Sequence, residues 1–182
     1  TKRILGVIRP TAEVIGNYTR SGHIGILGTS GTVSSCSYVI EIEKFFPQAR
    51  VFQQACPMWV PLIENREYDT DGADYFVRKC IDQLLKQSPD IDTILLACTH
   101  YPLLINKIRN HVPAGVRVLP QGGIVAESLN DYLNRHPEME VRISRGNPGI
   151  RRFYTTDSTE DFDSHASIFY GEEVRSEHVE LA

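Results

Sequence analysis

The chain has 182 residues, 41% hydrophobic and 23% charged, with a formal net charge of -4. This composition is that of a globular protein of one domain, or one domain plus part of another, and excludes a disordered or fibrous chain. The acidic balance without a Lys/Arg cluster argues against a nucleic-acid surface, and the sequence has no long uncharged apolar run to span a membrane.

Taken in chain order, Ile4–Ile8 reads as a strand, too short for a signal peptide. Pro10 suits the first turn of a helix, with Val14, Ile15 and Tyr18 on one face and Ser21-Gly22 closing it. Ile24–Leu27 is the next strand and runs into Gly28-Thr29-Ser30-Gly31-Thr32. Tyr38, Val39, Ile42, Phe45 and Phe46 have helical spacing, and Pro47 stops that helix. Arg50–Gln53 is a short strand leading into 55–64, where two prolines predict a structured loop or a single helical turn. Ala73, Phe76, Val77, Cys80, Ile81, Leu84 and Leu85 form an amphipathic stripe. Thr93–Ala97 is a continuous apolar strand, followed by a helix beginning near Pro102 and carrying Leu104, Ile105, Ile108 and Val112. Val116–Leu119 is a strand, and Ile124, Val125, Ser128, Leu129, Tyr132 and Leu133 share a helix face.

From about 10 to 120, helix and strand alternate four times, which predicts an α/β fold with a parallel sheet in a three-layer αβα arrangement. In the tail, Val141–Ile143 reads as an edge strand and 145–149 as a turn. Phe153–Asp157 and Val174–Leu181 read as short strands, and Ser158 with Asp161 marks a helix start. These tail pieces predict no sheet of their own. The first residue is Thr1, and the chain opens directly on the Ile4–Ile8 run; both features suggest a piece of a longer or processed chain.

Three loops follow strands: Gly28–Thr32, Cys56–Glu64 and Cys98–Pro102. In a parallel sheet they fall on one edge, where open α/β sheets bind ligands. Gly28–Thr32 offers hydroxyls and N–H groups at a helix start, but lacks the Lys of a P-loop and the third Gly of a dinucleotide fingerprint. Cys98-Thr99-His100 sets a thiol beside an imidazole, a pairing suited to proton transfer. Glu64 is placed either to orient His100 or to be a solvated loop carboxylate. A zinc site using Cys98, His100 and Cys56 is a competing reading, although C-x-H spacing lacks a second paired half. Cys80 reads as core, Cys36 and Cys56 as structural. Four cysteines without CxxC spacing point to free thiols and a cytoplasmic setting.

Together, Gly28–Val33, Ala55–Glu64 and Asp92–Leu104 resemble the cofactor-independent aspartate/glutamate racemase family, on its glutamate branch. The likeness extends to Leu5–Ile8 and to Tyr154-Thr155-Thr156-Asp157, nearly the whole chain, and its most specific motif is Ala97–Leu104. It implies two similar α/β domains with the active site between them, and two cysteines on opposite faces of the substrate Cα. Cys98 corresponds to the second of these. The first belongs in a Cys-Asn-Thr segment expected upstream of Leu5. By this likeness, 10–120 is the second racemase domain, and 1–9 with 121–182 are the remaining parts of the first. One departure stands at Pro120-Gln121-Gly122-Gly123, where many members have Asp-Ser-Gly, and no role is carried onto Gln121.

The resemblance implies an isomerase that converts L-glutamate to D-glutamate for peptidoglycan synthesis, with no cofactor and no metal. Cys98 is then one acid/base, assisted by His100 with Glu64 behind it, and Thr99, His100, Thr32 and Thr29 bind substrate. The small molecule glutamate is the expected partner, with no nucleic acid and no membrane; self-association, for instance as a homodimer, is also expected. The 182 residues alone are expected to racemise nothing. Aspartate racemase, another superfamily isomerase, and a non-catalytic binding or regulatory protein on the same scaffold are the alternatives.

Overall fold

The run Thr93–Leu96 is a strand buried at every position, as an apolar run must be when helices cover both faces of its sheet. The structure, a computed structural model, describes residues 5–142 and 151–181. By contacts the chain divides into two units, Thr1–Tyr132 and Leu133–Ala182.

In the first unit, β1 (His23–Gly28), β2 (Arg50–Ala55), β3 (Thr93–Leu96) and β4 (Arg117–Pro120) form a parallel sheet in the order β2-β1-β3-β4. Its helices are α1 (Ile8–Val14), α2 (Ser30–Ser34), α3 (Ser37–Phe45), α4 (Trp59–Glu64), α5 (Asp71–Leu85) and α6 (Ile105–His111). The division between the units falls within α7 (Gln121–Arg135). On one face of the sheet, Trp59, Ile63, Val77, Ile81, Leu84 and Ile108 bring α4, α5 and α6 into one apolar cluster. On the other, Ala12, Ile15, Tyr38 and Ile42 from the α1 and α3 region pack with Ile24, Ile26 and Leu95. This is the three-layer αβα arrangement. Each large aliphatic side chain so buried contributes on the order of 1.5–3 kcal/mol relative to exposure.

Strand order decides where a ligand fits. From β1 the chain crosses to β2 on one side, and from β3 it crosses to β4 on the other. The connections therefore diverge between β1 and β3, opening a crevice at their carboxyl ends. At the opposite edge, the Asp92 carboxylate accepts from Thr19 Oγ1 at 2.5 Å and from the Arg20 and Ser21 N–H groups at 2.7 and 2.9 Å. It fastens the turn before β1 to the start of β3.

In the second unit, α8 (Pro137–Glu140) is followed by β5 (Phe153–Thr155), α9 (Thr159–Tyr170) and β6 (Ser176–His178). The Ser158 side chain caps α9 by accepting from the Asp161 N–H at 3.2 Å, as the sequence predicts.

Several expectations are corrected. Residues 5–8 are not a strand: Leu5 and Val7 are exposed, Val7 is the N-cap of α1, and the Thr11 hydroxyl donates to the Val7 carbonyl at 3.1 Å. Ile4 lies outside the described residues, as do 143–150, including the predicted turn at 145–149 and Ile143. Val141 and Arg142 form a turn, with their N–H groups bonded back to Pro137 and Met139, because Pro137 starts a short helix rather than a strand. The helix expected through Tyr38 is broken at Cys36, which takes a left-handed conformation (φ 51°) between α2 and α3. The tail does have a sheet of its own, since β5 pairs with β6 in parallel.

Candidate active site

The three loops singled out in the sequence leave the same edge. Leu27 pairs with Leu96 and Gly28 with Ala55, and the Ala97 N–H donates to the Leu27 carbonyl at 2.8 Å. Thr29 and Cys98 therefore each stand two residues past a paired position, at the crevice between β1 and β3.

Past β3 the chain bends through 98–100 into a 3₁₀ turn, Tyr101–Leu104, with Pro102 near its start. Cys98 is half-buried, and burial pushes its thiol up from the ordinary value. The backbone N–H groups of His100 and Tyr101 oppose that shift by stabilising the thiolate, while the charge of Glu64 adds to it. The resting form is the thiol, with a preformed pair of donors for the anion.

His100 Nδ1 lies 3.8 Å from Cys98 Sγ, and its Nε2 lies 3.3 Å from Glu64 Oε1. A carboxylate only accepts, so in the neutral ring Nε2 carries the proton and the Nδ1 lone pair faces the thiol. Cys98, His100 and Glu64 thus form a continuous thiol–imidazole–carboxylate array, a geometry able to relay a proton.

The third member reaches this place through packing. Tyr101 and Trp59 are fully buried, with ring centroids 4.7 Å apart in an edge contact. The Tyr101 hydroxyl donates to the Cys56 carbonyl at 3.3 Å, and the Trp59 indole N–H donates to the Phe76 carbonyl, also at 3.3 Å. These contacts clamp the loop after β2 and α4 to the loop after β3, bringing Glu64 to His100. Cys56 and Cys80 are buried. The Cys56 thiol donates to the Gln54 carbonyl at 3.6 Å and that of Cys80 to the Ala55 carbonyl at 3.9 Å. Burial raises the Cys56 thiol far above its ordinary value. Among the described residues no group of three or more His, Cys, Asp and Glu is placed to hold a metal ion.

Thr29 caps α2 by accepting from the Thr32 N–H at 3.3 Å, and the two hydroxyl oxygens are 2.9 Å apart. A Cβ at Gly28 would come within 3.1 Å of Thr32 Cγ2, so glycine allows this tight closure. Thr99 is exposed at the bend.

Two residues without a predicted role also reach this edge. Gln121, the first residue of α7, donates from Nε2 to the Tyr38 hydroxyl at 2.8 Å. Burial raises the Tyr38 phenol above its ordinary value; the Gln121 bond counters this and the charge of Cys98 adds to it. The pair is 83 residues apart in sequence, and the helical spacing of Tyr38 marks it only as core.

Residues 3–129 match the model of the Asp/Glu/Hydantoin racemase family. Over 98% of its length the chain is 36% identical to the glutamate racemase of Streptococcus gordonii, and it spans 66% of that relative. With the glutamate racemase of Lactiplantibacillus plantarum it shares 33% identity, also over 98% of the chain, and spans 64% of the relative. The chain therefore covers slightly less than two thirds of the curated relatives it matches. A crystal structure of the glutamate racemase isoform RacE1 from Bacillus anthracis superposes over 100% of this chain and 66% of that one, with a TM-score of 0.88 and 29% identity. A glutamate racemase from Thermus thermophilus, in complex with beta-chloro-D-alanine, superposes over 100% of this chain and 64% of that one, with a TM-score of 0.78 and 26% identity.

Proposed function

The chain belongs to the Asp/Glu/Hydantoin racemase family, and from that premise we propose that it carries one half of a cofactor-independent glutamate racemase site, with Cys98 as the acid/base on one face of the substrate. The arrangement Cys98–His100–Glu64 supports this reading most strongly, together with relatives that are named glutamate racemases.

The α-hydrogen of an amino acid is a very weak acid, and its neighbouring carboxylate opposes a second negative charge. Inversion needs one group to remove the proton and another to return one from the opposite face. Cys98 first passes its own proton to His100 Nδ1, and Glu64 stabilises the imidazolium. The thiolate then takes the α-hydrogen of L-glutamate: the C–H bond breaks, an S–H bond forms, and the electron pair spreads into the substrate carboxylate. An acid on the opposite face protonates Cα to give D-glutamate. In reverse, the Cys98 thiol delivers the proton. The hydroxyls of Thr29, Thr32 and Thr99 bind the substrate's polar groups, and fixed donors at the developing charge lower the barrier.

The other cysteines of this chain do not supply the opposing acid. Cys56 and Cys80 are buried with their thiols turned to backbone carbonyls, and Cys36 is exposed where α2 and α3 break apart. The 182 residues by themselves then serve one face only. In the whole protein the product is D-glutamate for peptidoglycan synthesis, made in the cytoplasm, where free thiols persist. Pairing of two copies belongs to the same reading and is supported by exposed apolar side chains at Leu5, Val7 and Ile40.

A chiral assay with L- and D-glutamate and both aspartate enantiomers tests the proposal. The expected result is glutamate inversion by a protein holding this chain with its opposing acid, and none by the 182 residues alone. Full-rate inversion by the 182 residues, or preference for aspartate, overturns it.

A further inference from the structure

Tyr38 is 2% exposed, yet its hydroxyl proton has no acceptor among the described residues. Gln121 Nε2 lies 2.8 Å from the Tyr38 oxygen, 2.8 Å from the Val7 carbonyl oxygen and 3.0 Å from Thr11 Oγ1. A carbonyl only accepts, so this end of the amide is the NH₂ group, and an amide nitrogen accepts nothing. The phenol proton therefore cannot go to Gln121 and points elsewhere. Buried donors nearly always find an acceptor.

The phenol stands near the sheet edge that carries the candidate site. Gln121 directly follows Pro120, Pro120 pairs with Leu96, and Cys98 is two residues past Leu96. The phenol and the thiol feel each other's charge, but no hydrogen bond joins them among the described residues. Burial keeps the phenol protonated at neutral pH, so the group it meets is an acceptor and not an ammonium.

We propose that the Tyr38 hydroxyl donates a hydrogen bond to a carboxylate oxygen of the amino-acid substrate at Cys98, with Gln121 fixing the phenol in the donating orientation. This assignment rests on the glutamate reading above. Gln121 is a positioning residue in this scheme. A carboxylate in its place would accept the Tyr38 proton and turn it away from the substrate.

Protection of Cys98 from iodoacetamide tests it on the 182-residue chain. The rate is read by mass spectrometry of the Cys98 peptide over a series of glutamate concentrations, with alkylation of exposed Cys36 as the internal reference. Glutamate is expected to protect Cys98 in the unaltered chain. Tyr38→Phe is expected to raise the half-protecting concentration about tenfold, the worth of one hydrogen bond to a charged group. Gln121→Glu, at a half-buried position, is expected to do the same. Unchanged half-protection in both variants overturns the Tyr38 assignment and leaves the glutamate reading standing. Absence of protection in the unaltered chain overturns both.

Discussion

His100 Nε2 meets Glu64 Oε1 at 3.3 Å while its Nδ1 faces Cys98 Sγ at 3.8 Å. In the proposed reaction the two contacts assign separate tasks to one ring: Glu64 fixes the tautomer, and the Nδ1 lone pair receives the thiol proton. They also give Glu64 two opposed effects, since its charge hinders ionisation of Cys98 while its position prepares the base.

Removing that charge separates the effects. Glu64→Gln lowers the Cys98 thiol toward its ordinary value, so alkylation of Cys98 at pH 8 becomes faster than in the unaltered chain. Proton transfer at substrate Cα slows by roughly tenfold to a hundredfold, less than the loss of a buried orienting carboxylate, because Glu64 is half exposed. Alkylation kinetics and α-proton exchange measured on one preparation check both signs.

The pH profile of Cys98 alkylation in the unaltered chain is displaced upward. Burial is the main cause and Glu64 the added one, with the His100 and Tyr101 N–H groups limiting the shift. At pH 8 Cys98 is expected to react more slowly than a cysteine in a short peptide, whose thiol ionises at about 8.5. A midpoint at or below the peptide value would contradict the stated balance.

Trp59 and Tyr101 hold the loop of Glu64 against that of His100. Trp59→Ala is expected to cost about 3–5 kcal/mol in denaturant unfolding, as for a large buried aromatic. Tyr101→Phe keeps the ring and removes only the donor to the Cys56 carbonyl, at a cost of about 1–2 kcal/mol. Both should slow proton exchange at Cα, Trp59→Ala more, because Glu64 loses its place.

Asp92 reports on the opposite edge of the sheet. Burial opposes its charge, but hydrogen bonds from Thr19, Ser21, Arg20 and Thr93 outweigh it and hold the carboxyl at about 2. A carboxyl lowered on folding stabilises the fold above its unfolded value of about 3.9, and that contribution is lost as pH falls toward 2. Asp92→Asn should cost roughly 1–2 kcal/mol near neutrality, discounted for solvent exposure, and flatten the decline of stability with acid. Urea titrations at pH 7 and pH 3 measure the difference.

The alternation of apolar strands with amphipathic helices made the central sheet legible in sequence, because burial on both faces leaves long unbroken runs such as Thr93–Leu96. The parallel direction expected of those strands then placed three distant loops on one edge, and the structure brings Cys98, His100 and Glu64 together there. Residues 5–8 were not legible, since no helix precedes this short run to set it in the helix–strand alternation, and the Thr11–Val7 bond that starts α1 is a detail of side-chain reach. The pairing of β5 with β6 was hidden because each strand has only three residues. Tyr38 and Gln121 were missed for another reason: on a helix face a buried tyrosine looks like any core aromatic, and its unplaced proton exists only once Gln121 is folded against it.

The central claim is that Cys98 exchanges a proton with substrate Cα on one face. Proton NMR of glutamate incubated with the 182-residue chain in D₂O reads this directly. Deuterium is expected to enter the α-position of L-glutamate with configuration retained, D-glutamate is expected to stay protonated, and Cys98→Ser is expected to slow exchange by at least about a hundredfold. Exchange that persists undiminished in Cys98→Ser, or that is absent from the unaltered chain, contradicts the claim.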